Sequence, residues 1–128
     1  MSPSRYTVYK EMEFAAAHFL REYHGKCEKL HGHNYIVRVY VAADELDIEG
    51  MVVDFAELKA AMAEVVDRFD HGLINEVSPF DQIPPSAENI AGYICHEVVK
   101  RIDNDRVRVV ECRVWETGRN CAIYRRDV

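Results

Sequence analysis

Apolar and polar residues alternate over two early stretches of the chain. From Tyr6 to Phe14 the even positions read Tyr, Val, Lys, Met, Phe, which is mostly the apolar face of a β-strand. From His33 to Val41 the odd positions read His, Tyr, Val, Val, Val, with Asn34, Arg38 and Tyr40 on the other face. The period then changes. Phe55, Leu58, Met62, Val65, Val66 and Phe69 form a stripe of helical spacing. Asp54 opens that helix, with Glu57 at capping-box distance, and Gly72 after Asp70-His71 predicts its end. Beyond Pro84-Pro85, Ser86 is placed to cap a second helix, whose stripe is Ile90, Ile94, Val98 and Ile102, with Ala91 and Cys95 beside it. Alternation returns over Val107–Glu116. Thr117-Gly118-Arg119-Asn120 then predicts a turn into a last strand through Ala122 and Tyr124.

The order β-β-α-α-β-β predicts one α+β domain over residues 1–128, a four-stranded antiparallel sheet with two helices on one face. Such a sheet leaves two open edges, and pairing with another copy is one way of covering them.

Composition narrows the function. The chain has 128 residues, 48% hydrophobic and 30% charged, enough for a core without covalent staples. Its net charge of −6 argues against a dedicated nucleic-acid binder, although a few local cations suffice for a small phosphorylated ligand. No apolar run reaches the roughly 18–20 residues of a membrane span, and Met-Ser-Pro-Ser-Arg-Tyr has no apolar signal core, so a cytoplasmic protein is expected. Cys27, Cys95, Cys112 and Cys121 form no C-x-x-C pair and are expected as reduced thiols.

Three histidines carry the strongest chemical signal. His31-Gly32-His33 places two imidazoles on one strand face, roughly 7 Å apart along the backbone. His18 follows the first strand, where a hairpin would bring it alongside. Three nitrogens suit zinc and leave a fourth position open, the arrangement of a catalytic site; by themselves three such histidines are also compatible with an ordinary strand end. Cys27, flanked by Lys26 and Lys29, reads as a fourth ligand, a buried thiol or a reactive thiolate. Asp70-His71 is an acid–imidazole pair that serves either a proton relay or a helix terminus. Glu116 falls on the apolar face of its strand, with Val110, Cys112 and Val114, and with Arg108 as its one charged neighbour there. A carboxylate so placed suits a ligand that presents two N–H donors side by side; the alternative is a solvated strand end.

Together these segments resemble one family. Phe14-Ala-Ala-Ala-His18, Cys27-Glu-Lys-Leu-His31-Gly-His33-Asn34-Tyr35, Met51-Val-Val-Asp54-Phe55, Phe69-Asp70-His71-Gly-Leu-Ile-Asn75, Pro85-Ser86-Ala87-Glu88-Asn89 and Trp115-Glu116-Thr117 resemble, in order, the motifs of the 6-pyruvoyl-tetrahydropterin synthase superfamily. The resemblance implies the tunnelling fold. In it, trimers join their sheets into a barrel, two trimers stack as a homohexamer, and active sites lie between subunits. It implies zinc held by His18, His31 and His33, Cys27 as general base, Asp70 and His71 as proton relay, and Glu116 as pterin anchor. The implied substrate is 7,8-dihydroneopterin triphosphate, with Lys26, Lys29 and Arg21 as candidate phosphate cations. The short Cys-x-x-x-His-Gly-His spacer is similar to the 6-carboxy-tetrahydropterin synthase branch of the queuosine pathway, which releases triphosphate and acetaldehyde. The alternatives are a 6-pyruvoyl synthase and a non-catalytic pterin- or metal-binding module.

Overall fold

The computed structural model describes residues 4–21 and 29–127. Two long strands, β1 (Tyr6–His18) and β2 (His31–Ala43), pair antiparallel along their whole length, from Tyr6 opposite Ala43 to His18 opposite His31. Helix α1 (Phe55–Val66), a two-residue strand β3 (Gly72–Leu73), a single 3-10 turn (Ile74–Glu76) and helix α2 (Ala87–Ile102) follow. Strands β4 (Val107–Thr117) and β5 (Asn120–Arg125) close the chain as a hairpin. The sheet order is β3-β1-β2-β4-β5. The predicted antiparallel four-stranded sheet is therefore present, and β3 adds a short parallel rung beside Ala16 and Ala17 of β1.

Both predicted cap residues cap their helices, although Asp54 does so through Ala56 rather than through the box with Glu57. Asp54 accepts a hydrogen bond from the Ala56 N–H at 2.8 Å, and the Ser86 hydroxyl accepts one from the Asn89 N–H at 3.2 Å. Each satisfies a helix donor that would otherwise lack a partner. The core lies between the helices and one sheet face. Leu58, Met62 and Val65 of α1 and Ile90, Ile94 and Val98 of α2 meet Val37, Val39 and Val41 of β2 and Val114 of β4, all buried. Two members of the first predicted stripe behave differently. Phe55, in the first turn, is exposed, and Phe69 is buried but lies three residues beyond the end of α1. The helix stops at Val66 because the chain turns there to bring residues 70–73 against β1.

A β-bulge corrects one expectation. Tyr40 of β2 faces Glu111 and the next residue, Val41, faces Val109, so Val110 is the extra residue. A bulge inverts the alternation. Val107 and Val109 face the core before it, and Cys112 and Val114 after it. Arg108 therefore does not share a face with Glu116; its guanidinium instead donates to the Ser4 hydroxyl.

The helix-free face of the sheet is polar and aromatic. The Arg38 guanidinium lies over Tyr9 at 4.5 Å and over Trp115 at 5.0 Å, and pairs with Glu11 at 2.8 Å. Arg113 lies over Tyr40 and pairs with Glu111.

Candidate metal centre

The hairpin register builds the site. His18 and His31 face each other across β1 and β2, and His33 follows two residues along on the same face. Their ring centroids lie 4.7–5.1 Å apart in edge-to-face pairs. Beneath them, the buried Tyr35 ring meets His18 and His33 edge-on and stacks on Phe14 at 4.9 Å. The aromatic pair separates the imidazoles from the aliphatic core.

Glu116 completes the group. It sits at a second irregularity of the β4–β5 ladder, between Trp115 opposite Cys121 and Thr117 opposite Asn120. Its Oε2 is 3.2 Å from His18 Nε2 and 3.4 Å from His33 Nε2. The partner that the sequence did not show for this carboxylate is the histidine cluster. One ligand atom from each of His18, His31, His33 and Glu116 lies within 4.8 Å of every other.

The outer hydrogen bonds determine what the cluster can hold. His18 Nδ1 donates to the Pro85 carbonyl at 2.8 Å, and His31 Nδ1 donates to the Lys29 carbonyl at 2.9 Å. A carbonyl only accepts, so both Nδ1 atoms carry hydrogen. In the neutral rings both Nε2 atoms then present lone pairs, and these face each other at 3.1 Å with a carboxylate beside them. A metal ion between the groups would satisfy the facing lone pairs and the carboxylate together. Two nitrogens bound tetrahedrally to zinc at about 2.0–2.1 Å would be about 3.3–3.4 Å apart, close to the separation here. Tautomer-fixing bonds of this kind are the usual outer support of metal-bound histidines. The donor set fits zinc.

Asp70 and His71 lie along the other edge of β1. Asp70 Oδ1 accepts the Ala15 N–H at 2.9 Å, His71 donates its backbone N–H to the Ala15 carbonyl at 2.6 Å, and Asp70 Oδ2 meets His71 Nδ1 at 3.1 Å. His71 has φ of 61°, a left-handed conformation that turns the chain into β3. The Ala15 N–H is the main reason the Asp70 carboxyl is held below its ordinary value, and the charge of His71 adds to it. The imidazole itself is exposed. A concave surface of about 600 Å³ runs past it, lined by Ala15, Ala17, Gly32, His33, His71 and Leu73 among others, so His71 and His33 border one space. A smaller hollow of about 130 Å³ lies between Glu116, Glu88, Asn120 and Cys121.

Cys27 and Lys26 fall outside the described residues, and Lys29 is exposed. Arg21 is not a free cation. Its guanidinium donates to the carbonyls of Phe80 and Asn75 at 3.2 and 3.3 Å. Cys95 and Cys112 are buried thiols, with burial pushing Cys95 up to about 11 and Cys112 upward as well.

Residues 7–127 match the family described as 6-pyruvoyl tetrahydropterin synthase. The chain belongs to that family. It is 35% identical over 96% of its length to the 6-carboxy-5,6,7,8-tetrahydropterin synthase of Bacillus subtilis, covering 87% of that protein. It is 42% identical over 68% of its length to the protein of the same name from Synechocystis, covering 70% of it. Among solved structures, the 6-pyruvoyl tetrahydropterin synthase of Caenorhabditis elegans superposes with a TM-score of 0.83 at 25% identity, over 99% of this chain and 100% of that one. The fold is therefore the tunnelling fold of these synthases.

Proposed function

We propose that the chain is a zinc-dependent 6-carboxy-5,6,7,8-tetrahydropterin synthase, a lyase that converts 7,8-dihydroneopterin triphosphate with release of triphosphate and acetaldehyde, as in queuosine biosynthesis. The observation that carries the reading is the convergence of the His18 and His31 Nε2 atoms, with Glu116 beside them and both Nδ1 atoms committed to carbonyls. The relatives in Bacillus subtilis and Synechocystis, both named for this product, support the carboxy branch.

His18, His31 and His33 would hold the ion. When bound, zinc supplies Lewis acidity that polarises the substrate's side-chain oxygens and acidifies the adjacent C–H bonds. Cys27 serves as the base at those bonds. Asp70 holds His71 by its Nδ1, leaving the exposed Nε2 to exchange protons with the substrate or water. Glu116 borders both the histidines and the smaller hollow, and anchors the pterin by accepting its paired N–H donors. Assembly as a cytoplasmic homohexamer, with sites between subunits, belongs to the same proposal; the edges of β1 and β5 are the surfaces that would pair.

The test is incubation of the zinc-loaded protein with 7,8-dihydroneopterin triphosphate and identification of all products by mass spectrometry. Carboxy-tetrahydropterin with acetaldehyde is expected. A pyruvoyl product would move the chain to the other branch, and zinc binding without turnover would make it a binding module. Glu116→Gln should weaken pterin binding far more than zinc binding. Unchanged pterin affinity would remove Glu116 from the anchor role.

A further inference from the structure

His18 is the last residue of β1, and the parallel rung that supports that edge ends one residue earlier, at Ala17 opposite Leu73. Strand ends fray when their backbone groups lose partners. Here the next residue is held by a side chain. The Phe19 N–H donates to Asn75 Oδ1 at 3.0 Å, and Asn75 Nδ2 donates to the Phe19 carbonyl at 3.0 Å. The amide of Asn75 thus takes the place of a strand partner, and Asn75 is only 4% exposed. An uncharged amide offers a donor and an acceptor together; an ionised carboxylate offers acceptors only.

The hold is reciprocal. Arg21 donates to the backbone carbonyl of Asn75 and to that of Phe80, while its guanidinium lies 5.5 Å from the centre of the Phe19 ring. Segment 70–75 therefore engages β1 in steps, from Ala15 through Ala16 and Ala17 to Phe19. The acid–imidazole pair sits at one end of those steps and His18 at the other.

We propose that Asn75 is a positioning residue for the metal centre: by engaging both backbone groups of Phe19 it fixes the end of β1 that presents His18 Nε2. The proposal rests on the metal-binding reading of the histidine cluster. Ligand atoms must be held within about 0.5 Å of productive geometry, and the His18–Pro85 bond orients the ring without fixing the backbone that carries it.

The experiment measures zinc affinity by chelator competition, and the visible absorption of the cobalt(II)-substituted protein, for wild type, Asn75→Ala and Asn104→Ala. Asn104 is a structural counterpart at the far end of the fold, accepting the Arg106 and Val107 N–H groups at 2.8 and 2.9 Å. Asn75→Ala is expected to weaken zinc about ten- to a hundredfold, as loss of outer support does, and to change the cobalt spectrum while circular dichroism reports a folded chain. Asn104→Ala is expected to lower the melting temperature and leave both metal readouts as in wild type. Wild-type affinity and spectrum in Asn75→Ala would overturn the proposal, as would an equal loss of affinity in Asn104→Ala. If Asn75→Ala does not fold, Asn75→Asp keeps the acceptor for the Phe19 N–H and removes the donor. It should weaken zinc by a smaller factor, and unchanged affinity would again overturn the proposal. A wild-type protein that binds neither metal would sink the metal reading itself, a result distinct from tight binding unaffected by Asn75.

Discussion

One face of β2 carries two kinds of structure. At one end stand His31 and His33; at the other stand Val37, Val39 and Val41, with Tyr35 between them. The parity and the strand are the same. The valines are fully buried and are held by transfer from water and by close packing against α1 and α2. The histidines are held by directed bonds, His31 to the carbonyl of Lys29 and His33 to the carboxylate of Glu116. Transfer from water has no preferred direction, whereas a group of converging lone pairs does. Substitutions at the aliphatic end should therefore change stability and spare metal binding, and substitutions at the histidine end should do the reverse.

The largest effect expected is from His31→Ala. Loss of the ion should reduce turnover by about a thousandfold or more, matching the several kcal/mol that a Lewis acid contributes to a transition state. With chelator present, the melting temperature of the variant should equal or exceed that of wild type, because one of two facing lone pairs is gone. A metal-free protein strongly destabilised by this change would mean that the two ends are not separable. Product analysis and thermal melts decide it.

Ile94→Ala tests the opposite end. Ile94 is fully buried in the α2 stripe, and deletion of such a side chain should cost about 2–5 kcal/mol in denaturant unfolding. Zinc affinity of the folded fraction should stay within about twofold of wild type, the scatter expected for independent sites. A tenfold loss would show that the core controls the ligand geometry.

The aliphatic end was legible in the sequence because burial imposes a period, and a period is visible in one dimension. The α2 stripe from Ile90 to Ile102 and both helix caps appear where the pattern placed them. The histidine motif was legible for the same reason, since residues 31 and 33 must share a face. What escaped was set by groups with no pattern. The extra residue at Val110 moved Arg108 to the other face, and nothing in Val107–Glu116 marks a bulge. The Pro85 carbonyl that fixes the His18 tautomer is backbone, so any residue type supplies it. Asn75 reaches the residue after β1, and Arg21 reaches the Asn75 carbonyl, each across more than fifty residues of sequence. Strand β3 is two residues long, below the length at which alternation can be read.

Asp70 stands between the two kinds of structure, since it binds backbone like a structural residue and imidazole like a catalytic one. Asp70→Asn keeps an acceptor for the Ala15 N–H and gives up the charge that holds His71. Turnover should fall by about a hundredfold, within the range of a lost acid–base partner, while zinc content stays at wild-type level. Equal turnover in the two proteins would remove the pair from proton transfer.

The smallest effect concerns pH. The Asp70 carboxyl is held below its ordinary value of 3.8, first by the Ala15 N–H and then by His71. A carboxyl with a folded pKa below its unfolded one binds protons more tightly in the unfolded chain, so its ionised form favours folding. That contribution is fully present above the ordinary carboxyl range and is lost as the pH falls through the depressed folded pKa. Wild type should therefore be more stable than Asp70→Asn near pH 7 and by the same margin near pH 5, and the margin should narrow toward pH 3. It should be small throughout, because the side chain is one-third exposed and solvent screens the charge. Urea unfolding of both proteins at the three pH values measures the margin. A margin that stays flat down to pH 3 would mean that the Ala15 N–H binds either protonation state equally, and that Asp70 holds this edge of β1 as a neutral acceptor would.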